Sequence, residues 1–200
     1  MSIVSTMKLS IRRILTTPPL VVNLLFNLKL MRERPREATA YAARWFAGRS
    51  IVAVEIGVNA AYHAKQMANY LNCRELYLVD PHPDSYKANT NRTAWWARMR
   101  MDKLPCTRWV RLFGHDAAET ILKDVRFDYV YIDGDHSYDG AATDIADYWP
   151  LVREGGIMAG HDHTWEYPGV RLAVRDFAVK HPAFEFFAEG SDWWFVRDVV

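Results

Sequence analysis

Short apolar strands alternate with helical segments from Ser50 onward, and this alternation constrains the fold more than any other feature of the chain. Strands and helices that alternate in this way form a parallel, doubly wound sheet with right-handed crossovers. The predicted strands are Ile51–Ile56, Glu75–Asp80, Thr107–Phe113, Phe127–Ile132 and Gly156–Gly160, and the predicted helices are Ala60–Leu71, Asp84–Met101, Ala117–Lys123, Gly140–Trp149 and Val170–Lys180. Two further segments, Ala183–Ala188 and Asp192–Arg197, have hairpin spacing. The sequence therefore predicts an α/β fold with a seven-stranded sheet, mostly parallel, with an antiparallel strand at the C-terminal end.

The first 48 residues differ in character from the rest, so we predict an N-terminal helical extension over residues 1–48 and one main domain over residues 49–200. The apolar run Leu20–Leu28 is shorter than the ~20 residues that span a bilayer. It also lacks the features of a secretory signal. We expect one helix over residues 18–31, starting at two prolines, and a second around Arg36–Phe46. The first helix packs on the main domain or on a second copy in a homodimer, or it makes a peripheral membrane contact through flanking Lys and Arg.

The composition excludes several classes of protein. Half of the 200 residues are apolar, enough for a full core, and a net charge of +1 gives no field that would attract nucleic acid. Cys73 and Cys106 are too few for a disulfide framework and match no zinc motif. These features fit a cytoplasmic protein.

Acidic and imidazole side chains follow two of the predicted strands, at the point where each strand ends. The set is Asp133, Asp135 and His136 after one strand, and His161, Asp162 and His163 after the next. Ligands of open α/β sheets bind at the carboxyl ends of the strands. Such a cluster is costly without a cation. We therefore predict a divalent metal beside an acid/base group, and chemistry on a hydroxyl; the alternative is a purely structural cluster of hydrogen bonds.

The turn after the first strand indicates which nucleoside ligand binds. It holds Glu55 and a single glycine, Gly57, where a dinucleotide fingerprint would supply three glycines. A carboxylate disfavours a pyrophosphate but tolerates an ammonium and a sulfonium, which favours S-adenosylmethionine over NAD. Asp80 ends the second strand and is either a ribose ligand or a cap, and Asp116 is either an adenine ligand or the cap of the next helix.

The motifs together resemble those of class I S-adenosylmethionine-dependent methyltransferases, which have a Rossmann-like sheet. The resemblance covers residues 50–198 and is carried by Glu55–Gly57, Leu78–Pro81, Gly114–Asp116, Ile132–Gly140 and Gly155–Asp162. It is closest to the branch of metal-dependent sugar and macrolide O-methyltransferases, and more distant from the catechol-type enzymes. The resemblance implies a small-molecule hydroxyl acceptor, with a sugar or glycoside preferred.

Individual roles follow from the same resemblance. It implies that Glu55, Gly57 and Asn59 line the methionine end of the donor, with Asp133 close by, that Asp80 holds the ribose, and that His115 and Asp116 frame the adenine. It assigns a divalent ion, Mg²⁺ or Mn²⁺, to Asp133, His161 and Asp162. The relatives usually have an oxygen ligand where this chain has His161. Either the ion is softer than Mg²⁺, or His161 is not a metal ligand and Asp135 or His163 binds the ion in its place.

The general base is the last element of the predicted site. His136 lies where catechol-type relatives carry their base, with His163 as the alternative, and Asp133 completes the catalytic set. The aromatic residues Trp165 and Tyr167 follow the predicted ligands and have faces that stack on sugar rings, although they are also ordinary core residues. Two other hypotheses are a nicotinamide-dependent oxidoreductase, which the missing glycines disfavour, and a non-catalytic binding or membrane-docking module.

Overall fold

A computed structural model describes residues 34–82 and 93–197 with their side chains, and residues 90–92 as backbone. A compact unit begins at Pro35. Its helices are α1 (Glu37–Phe46), α2 (Tyr62–Tyr70), α3 (Thr90–Met101), α4 (Gly114–Glu119), α5 (Tyr138–Tyr148) and α6 (Pro168–Lys180). Its strands are β1 (Ile51–Ile56), β2 (Cys73–Val79), β3 (Thr107–Val110), β4 (Phe127–Ile132), β5 (Val152–Gly160), β6 (Glu185–Glu189) and β7 (Asp192–Val196). The helix predicted for residues 18–31 lies outside the described residues, as does the predicted start of the third helix at Asp84.

Within the described part of the chain, the strands form one seven-stranded sheet in the order β3-β2-β1-β4-β5-β7-β6. The first five strands pair in parallel. β7 is antiparallel to both of its neighbours, β5 and β6. This arrangement confirms the predicted seven-stranded sheet, mostly parallel with an antiparallel strand at the C-terminal end. The place of β7 between β5 and β6 is a finding of the structure.

Both faces of the sheet are buried, and β1 shows how the sequence achieves this. All six of its residues are buried. Alternate side chains of a strand point to opposite faces. Accordingly, Val52, Val54 and Ile56 pack in a cluster with α4, α5 and α6, whereas Ile51 and Ala53 pack in a second cluster with α1, α2 and α3. A strand covered on both faces needs an unbroken apolar run, which is the pattern seen in the sequence.

The helix α1 belongs to the compact unit that contains the sheet. Ala38, Ala42 and Phe46 recur at helical spacing and are all buried against the second cluster. Tyr41 on the same helix lies 5.2 Å, between ring centroids, from Trp194 of β7. The segment Arg36–Phe46 therefore covers one face of the sheet. No helix among the described residues is both long and apolar enough to cross a membrane.

Some element boundaries differ from the sequence prediction. β3 ends at Val110 and not at Phe113, because its partner β2 pairs with it only up to Val79. The helix α4 begins at Gly114 and not near Ala117, since Phe113 is already the extended residue before the helix. It ends at Glu119, after which Thr120 leaves helical geometry. As a result, Gly114, His115 and Asp116 form a helical turn and not a loop.

Candidate functional site

The carboxyl ends of β1, β2, β4 and β5 and the start of α4 open into one crevice with a volume of about 1210 Å³. The crevice lies where β1 has neighbours reached by crossovers in opposite directions, which is the usual ligand site of an open α/β sheet. Of the predicted site residues, the crevice is lined by Glu55, Gly57, Asn59, Asp80, His115, Asp133, Asp135, His136, His161 and Asp162.

A sharp turn at Gly57 brings the ends of β1 and β4 into close contact. Gly57 has φ +83°, a conformation that L side chains rarely adopt. A Cβ at this position would lie 2.1 Å from the carbonyl oxygen of Asp133. Asn59, two residues later, also has a positive φ of 50°. Glycine is therefore required at position 57 by its backbone conformation and because the carbonyl of Asp133 leaves no room for a side chain.

The carboxylate of Glu55 is buried at the start of this turn. Its Oε1 is 2.9 Å from Nδ1 of His63, whose Nε2 is in turn 2.8 Å from the hydroxyl of Thr39. Oε2 is buried and has no hydrogen-bond partner among the described residues. Burial, with a smaller contribution from Asp133, raises the pKa of Glu55. Burial also lowers the pKa of His63. A ligand ammonium would supply the missing partner of Oε2 and favour the ionised carboxylate.

The carboxylate of Asp80 supports the same turn from the end of β2. Its Oδ2 accepts hydrogen bonds from the backbone N–H groups of Val58 (3.0 Å) and Asn59 (2.8 Å), and its Oδ1 accepts one from His82 (2.8 Å). A carboxylate offers about four acceptor sites, so Oδ1 can still accept a hydroxyl from a ligand. Asp80 therefore orders the turn, and its Oδ1 remains available to a ligand hydroxyl.

A second polar cluster lies at the ends of β4 and β5. Ligand atoms of Asp133, His136 and Asp162 all lie within 4.8 Å of one another. Asp162 bridges two imidazoles: its Oδ2 is 2.8 Å from Nε2 of His136 and its Oδ1 is 2.9 Å from Nδ1 of His161. Asp162 has φ +60°, a strained conformation that costs on the order of 1–3 kcal/mol for a non-glycine residue. Strain of this kind is typical of functional sites.

The guanidinium of Arg36 also contacts this cluster. Its Nη1 donates to Oδ2 of Asp133 at 2.7 Å and to the hydroxyl of Tyr131 at 3.0 Å. The hydroxyl of Tyr131 donates to Oδ1 of Asp192, and Oδ2 of Asp192 accepts the backbone N–H of Ala38. These hydrogen bonds connect the start of α1 with the carboxyl end of β4 and the first residue of β7.

The donor set of the cluster fits a divalent cation. Asp133 keeps Oδ1 available while Arg36 occupies Oδ2, and Asp162 and His136 offer an oxygen and a nitrogen within 4.8 Å. The predicted ligand His161 is not in this converging set: its Nδ1 is 2.9 Å from Oδ1 of Asp162 and 3.9 Å from Oδ1 of Asp133. Mixed carboxylate and imidazole ligands suit Mn²⁺, Fe²⁺ or Zn²⁺ better than Mg²⁺, which prefers oxygen. The residues present are therefore compatible with a metal, and their chemistry favours an ion softer than Mg²⁺.

A family model described as a methyltransferase domain matches residues 54–163, more than half of the chain. The chain belongs to this family. The matched range begins in β1 and ends just after Asp162, so it includes both the turn at Gly57 and the polar cluster of this methyltransferase domain. No curated protein matches the sequence.

Solved structures of methyltransferases share the fold. CalS11, a TDP-rhamnose 3'-O-methyltransferase of calicheamicin biosynthesis, is 15% identical with a TM-score of 0.63, covering 92% of this chain and 90% of that one. NodS, an N-methyltransferase from Bradyrhizobium japonicum in complex with S-adenosyl-L-homocysteine, is 16% identical with a TM-score of 0.56, covering 81% and 86%. MycE, in complex with Mg, S-adenosylhomocysteine and mycinamycin VI, is 18% identical with a TM-score of 0.55, covering 80% of this chain and 48% of that one. At these identities the likeness concerns the fold alone.

Three of the predicted site residues lie at the rim of the crevice or outside it. His115 lines the crevice but pairs through Nδ1 with Asp147 at 2.8 Å, and this bond raises its pKa. Asp116 is exposed in the first turn of α4 and does not line the crevice. His163 also lies outside the lining, with its ring 6.0 Å from that of Phe186, centroid to centroid.

Arg36 and Asp144 are among the crevice residues that the sequence analysis missed. Arg36 gave no signal, because its contact with Asp133 joins residues 97 positions apart. Asp144 gave a signal that can be recognised in retrospect. It lies on the face of α5 that buries Ala141, Ile145 and Tyr148, so helical periodicity places a carboxyl where apolar residues are expected. An acid at a core position of a helix that borders a ligand crevice is a candidate functional residue.

Proposed function

We propose that this protein is an S-adenosylmethionine-dependent O-methyltransferase that acts on a hydroxyl of a small molecule, a sugar or glycoside, with help from a divalent metal and a histidine base. One observation carries the proposal. The cluster of Asp133, His136 and Asp162 adjoins the turn at Gly57, since a Cβ at Gly57 would touch the backbone of Asp133. A donor bound at the turn and an acceptor held at the cluster would therefore be neighbours.

The donor would be held by the residues of the first two strand ends. Oε2 of Glu55, which lacks a partner among the described residues, would accept the ammonium of the methionine moiety. Oδ1 of Asp80 would accept a ribose hydroxyl. The positive φ values of Gly57 and Asn59 shape the backbone against which the donor would lie.

The acceptor would be activated at the second cluster. When bound, S-adenosylmethionine supplies an electrophilic methyl group, and a divalent ion held by Asp133, His161 and Asp162 lowers the pKa of a hydroxyl. His136 would collect the proton. In the tautomer that donates Nε2–H to Asp162, Nδ1 of His136 carries the free lone pair, and the carboxylate of Asp162 stabilises the imidazolium that forms.

The substrate class and the cellular location are part of the same proposal. CalS11 acts on TDP-rhamnose and MycE was solved with mycinamycin VI, which favours a glycoside for this chain. Trp165 is 79% exposed three residues after Asp162 and offers a face for stacking on a sugar ring. Cys73 and Cys106 are free thiols, in keeping with a cytoplasmic protein.

The decisive experiment is transfer of a labelled methyl group from S-adenosylmethionine to a panel of glycosides, with and without EDTA. We expect transfer that EDTA abolishes and added Mn²⁺ restores. Asp133→Asn should lose transfer by at least about 100-fold, because it removes one charge from the metal set. Asp124→Asn, an exposed acid remote from the crevice lining, is the matched control and should retain activity.

Each part of the proposal has its own contradicting result. If EDTA does not change the rate of methyl transfer, a metal has no part in the reaction. If only amino sugars accept the methyl group, the enzyme is an N-methyltransferase. His136→Gln separates a base from a ligand: loss of rate with unchanged Mn²⁺ affinity supports the base, whereas weaker Mn²⁺ binding makes His136 a ligand. Absence of S-adenosylhomocysteine binding in calorimetry would refute the function as a whole.

A further inference from the structure

The guanidinium of Arg36 lies beside the polar cluster at the ends of β4 and β5, and only part of its hydrogen-bonding capacity is used. Nη1 donates to Oδ2 of Asp133 at 2.7 Å and to the hydroxyl of Tyr131 at 3.0 Å. Nε and Nη2 form no hydrogen bond with any residue that the structure describes. Arginine carries its N–H donors on a planar fork, and those of Nε and Nη2 point in the same direction. One whole edge of the guanidinium is therefore unpaired within the described chain.

The surrounding contacts hold this guanidinium in a fixed orientation. Its central carbon lies 5.5 Å from the centroid of the Tyr131 ring, and the hydroxyl of Tyr131 is in turn fixed by Oδ1 of Asp192 at 2.9 Å. The backbone N–H of Arg36 donates to Oε1 of Gln66 at 3.1 Å. A ligand in the crevice can meet the free edge, because Arg36 lines the crevice. A guanidinium that is already oriented loses little entropy when it binds such a ligand.

The free edge has the shape that binds an anion. Two parallel N–H groups match the two oxygens of a carboxylate or of a phosphate, and the resulting pair of hydrogen bonds is stronger than a bond between neutral groups. A neutral hydroxyl has a single oxygen and cannot accept from both donors in this way. The side chain of Arg36 is only 28% exposed, and leaving donors of a largely buried cation unpaired is costly. The edge therefore points to an anionic partner that binds from the crevice.

The position of Arg36 favours the acceptor over the donor as the source of this anion. Nη1 contacts the carboxylate of Asp133, which belongs to the cluster that would hold the ion and the acceptor hydroxyl. Glu55, the expected partner of the donor ammonium, is paired with His63, and no ion pair joins it to Arg36 in the described part of the chain. An anion on the free edge would therefore lie close to the hydroxyl that receives the methyl group.

The charges at this end of the crevice allow an anion when a divalent ion is bound. The ion balances the carboxylates of Asp133 and Asp162, and the positive charge of Arg36 is then in excess. The carboxylate of Asp162 also lies between the imidazoles of His136 and His161. The crevice is otherwise acidic, and the other acids that line it are Glu55, Asp80, Asp135, Asp139 and Asp144. Arg36 is thus the group at the acceptor end with a positive charge to offer an anion.

We propose that Arg36 binds a carboxylate or a phosphate of the acceptor, so that the substrate is an acidic glycoside with its anionic group close to the hydroxyl that is methylated. This inference rests on the proposed function, because it assumes that the acceptor hydroxyl is held at the cluster of Asp133, His136 and Asp162. Arg36 would select the acidic sugar and orient it by two parallel hydrogen bonds. A uronic acid and a sugar phosphate share this chemistry.

The test compares methyl glucoside, methyl glucuronide and methyl glucoside phosphorylated on its primary hydroxyl, which differ only in the group at that carbon. Calorimetry with S-adenosylhomocysteine and Mn²⁺ present gives their Kd values without turnover. The wild type should bind one of the anionic probes at least about 10-fold more tightly than methyl glucoside, as expected for hydrogen bonds to a charged group. The tighter of the two distinguishes a carboxylate from a phosphate. Arg36→Gln should lose this preference and leave the Kd values of methyl glucoside and S-adenosylhomocysteine unchanged. Arg36→Lys keeps the charge without the fork and should keep only part of the preference.

The outcomes distinguish this inference from the proposed function. If the wild type does not bind S-adenosylhomocysteine, both proposals fail. If it does, but binds neither anionic probe more tightly than methyl glucoside, this inference alone is overturned, and this comparison does not depend on the folding of any variant. It is also overturned if Arg36→Gln keeps the preference, or if that variant weakens S-adenosylhomocysteine binding as much as probe binding, because the edge would then serve the carboxylate of the donor. Arg126→Gln is the matched control, since it removes an exposed positive charge outside the crevice lining, and it should keep the preference.

Discussion

Replacement of Asp144 by asparagine should stabilise the unliganded protein at alkaline pH. The pKa of Asp144 rises from 3.8 to about 7 in the folded state, so the folded protein holds this proton more tightly than the unfolded chain does. Stability therefore falls as the pH rises from about 4 to about 7, and above that the full penalty applies. A difference of about 3 pKa units, at 1.36 kcal/mol each, corresponds to about 4 kcal/mol. Asparagine does not titrate, so the variant escapes this penalty.

Urea unfolding of the wild type and Asp144→Asn, measured from pH 4.5 to pH 8.5, gives the required free energies. The difference between the two proteins should be smallest at the acidic end and approach about 4 kcal/mol at the alkaline end. Titrating groups that do not act on Asp144, such as Glu55, are present in both proteins and cancel in the difference. The corresponding increase in Tm at pH 8 is about 10 °C for a chain of this size.

The pH dependence of the difference in unfolding free energy is a stronger test of the titration of Asp144 than the size of that difference. A pH-independent difference would mean that Asp144 does not titrate between pH 4 and pH 7, whatever the sign of the offset. A difference that grows towards acidic pH would mean that the carboxylate is stabilised in the fold by a cation. Either result would refute the view that this carboxyl is a cost to the unliganded protein.

Three further predictions concern the glycine turn, the arginine contact and the exposed tryptophan. Gly57→Ala should lower the free energy of unfolding by at least about 3 kcal/mol and abolish donor binding. Gly48 has a similar φ of 81° but no atom within 4 Å of the place that a Cβ would take, so Gly48→Ala should lower it by only about 1–2 kcal/mol. Equal losses in urea unfolding would contradict the close contact between Gly57 and Asp133. Arg36→Leu should tighten Mn²⁺ binding about tenfold in calorimetry, because it frees an oxygen of Asp133 and removes a nearby positive charge; unchanged or weaker binding would show that the guanidinium does not compete with the ion. Trp165→Ala should raise the KM for a glycoside several-fold and leave the Kd of S-adenosylhomocysteine unchanged, and an unchanged KM would remove this residue from the acceptor site.

Most of the fold was predictable because the inner strands of the sheet are covered on both faces. Burial on both faces forces continuous apolar runs, as in Ile51–Ile56 and Phe127–Ile132, and those runs end where polar residues enter the crevice. The convergence of Asp133 and Asp162 follows from the same logic, because the carboxyl ends of neighbouring parallel strands meet at one edge. The antiparallel direction of β7 was predicted from the hairpin spacing together with the family resemblance.

The remaining features depend on local backbone geometry or on long-range contacts. Asp116 turns to solvent because the chain enters α4 directly after Phe113, and a one-turn change in the start of a helix redirects every side chain in that turn. The contact between Arg36 and Asp133 joins two segments with no sequence relation. Asp144 was detectable in principle, since its spacing on α5 marks it as buried, but periodicity does not reveal that two glycines leave room for it.

The position of β7, between β5 and the edge strand β6, has a consequence for how this domain forms during synthesis. All five residues of β7 are buried, and its neighbours are β5 and the peripheral strand β6. Until the ribosome has released the chain beyond Val196, one edge of β5 has no neighbour and Trp193 and Trp194 cannot complete the layers on either side. An unpaired strand edge in a nascent chain invites aggregation. This domain should therefore depend on chaperone protection until translation has passed its last strand.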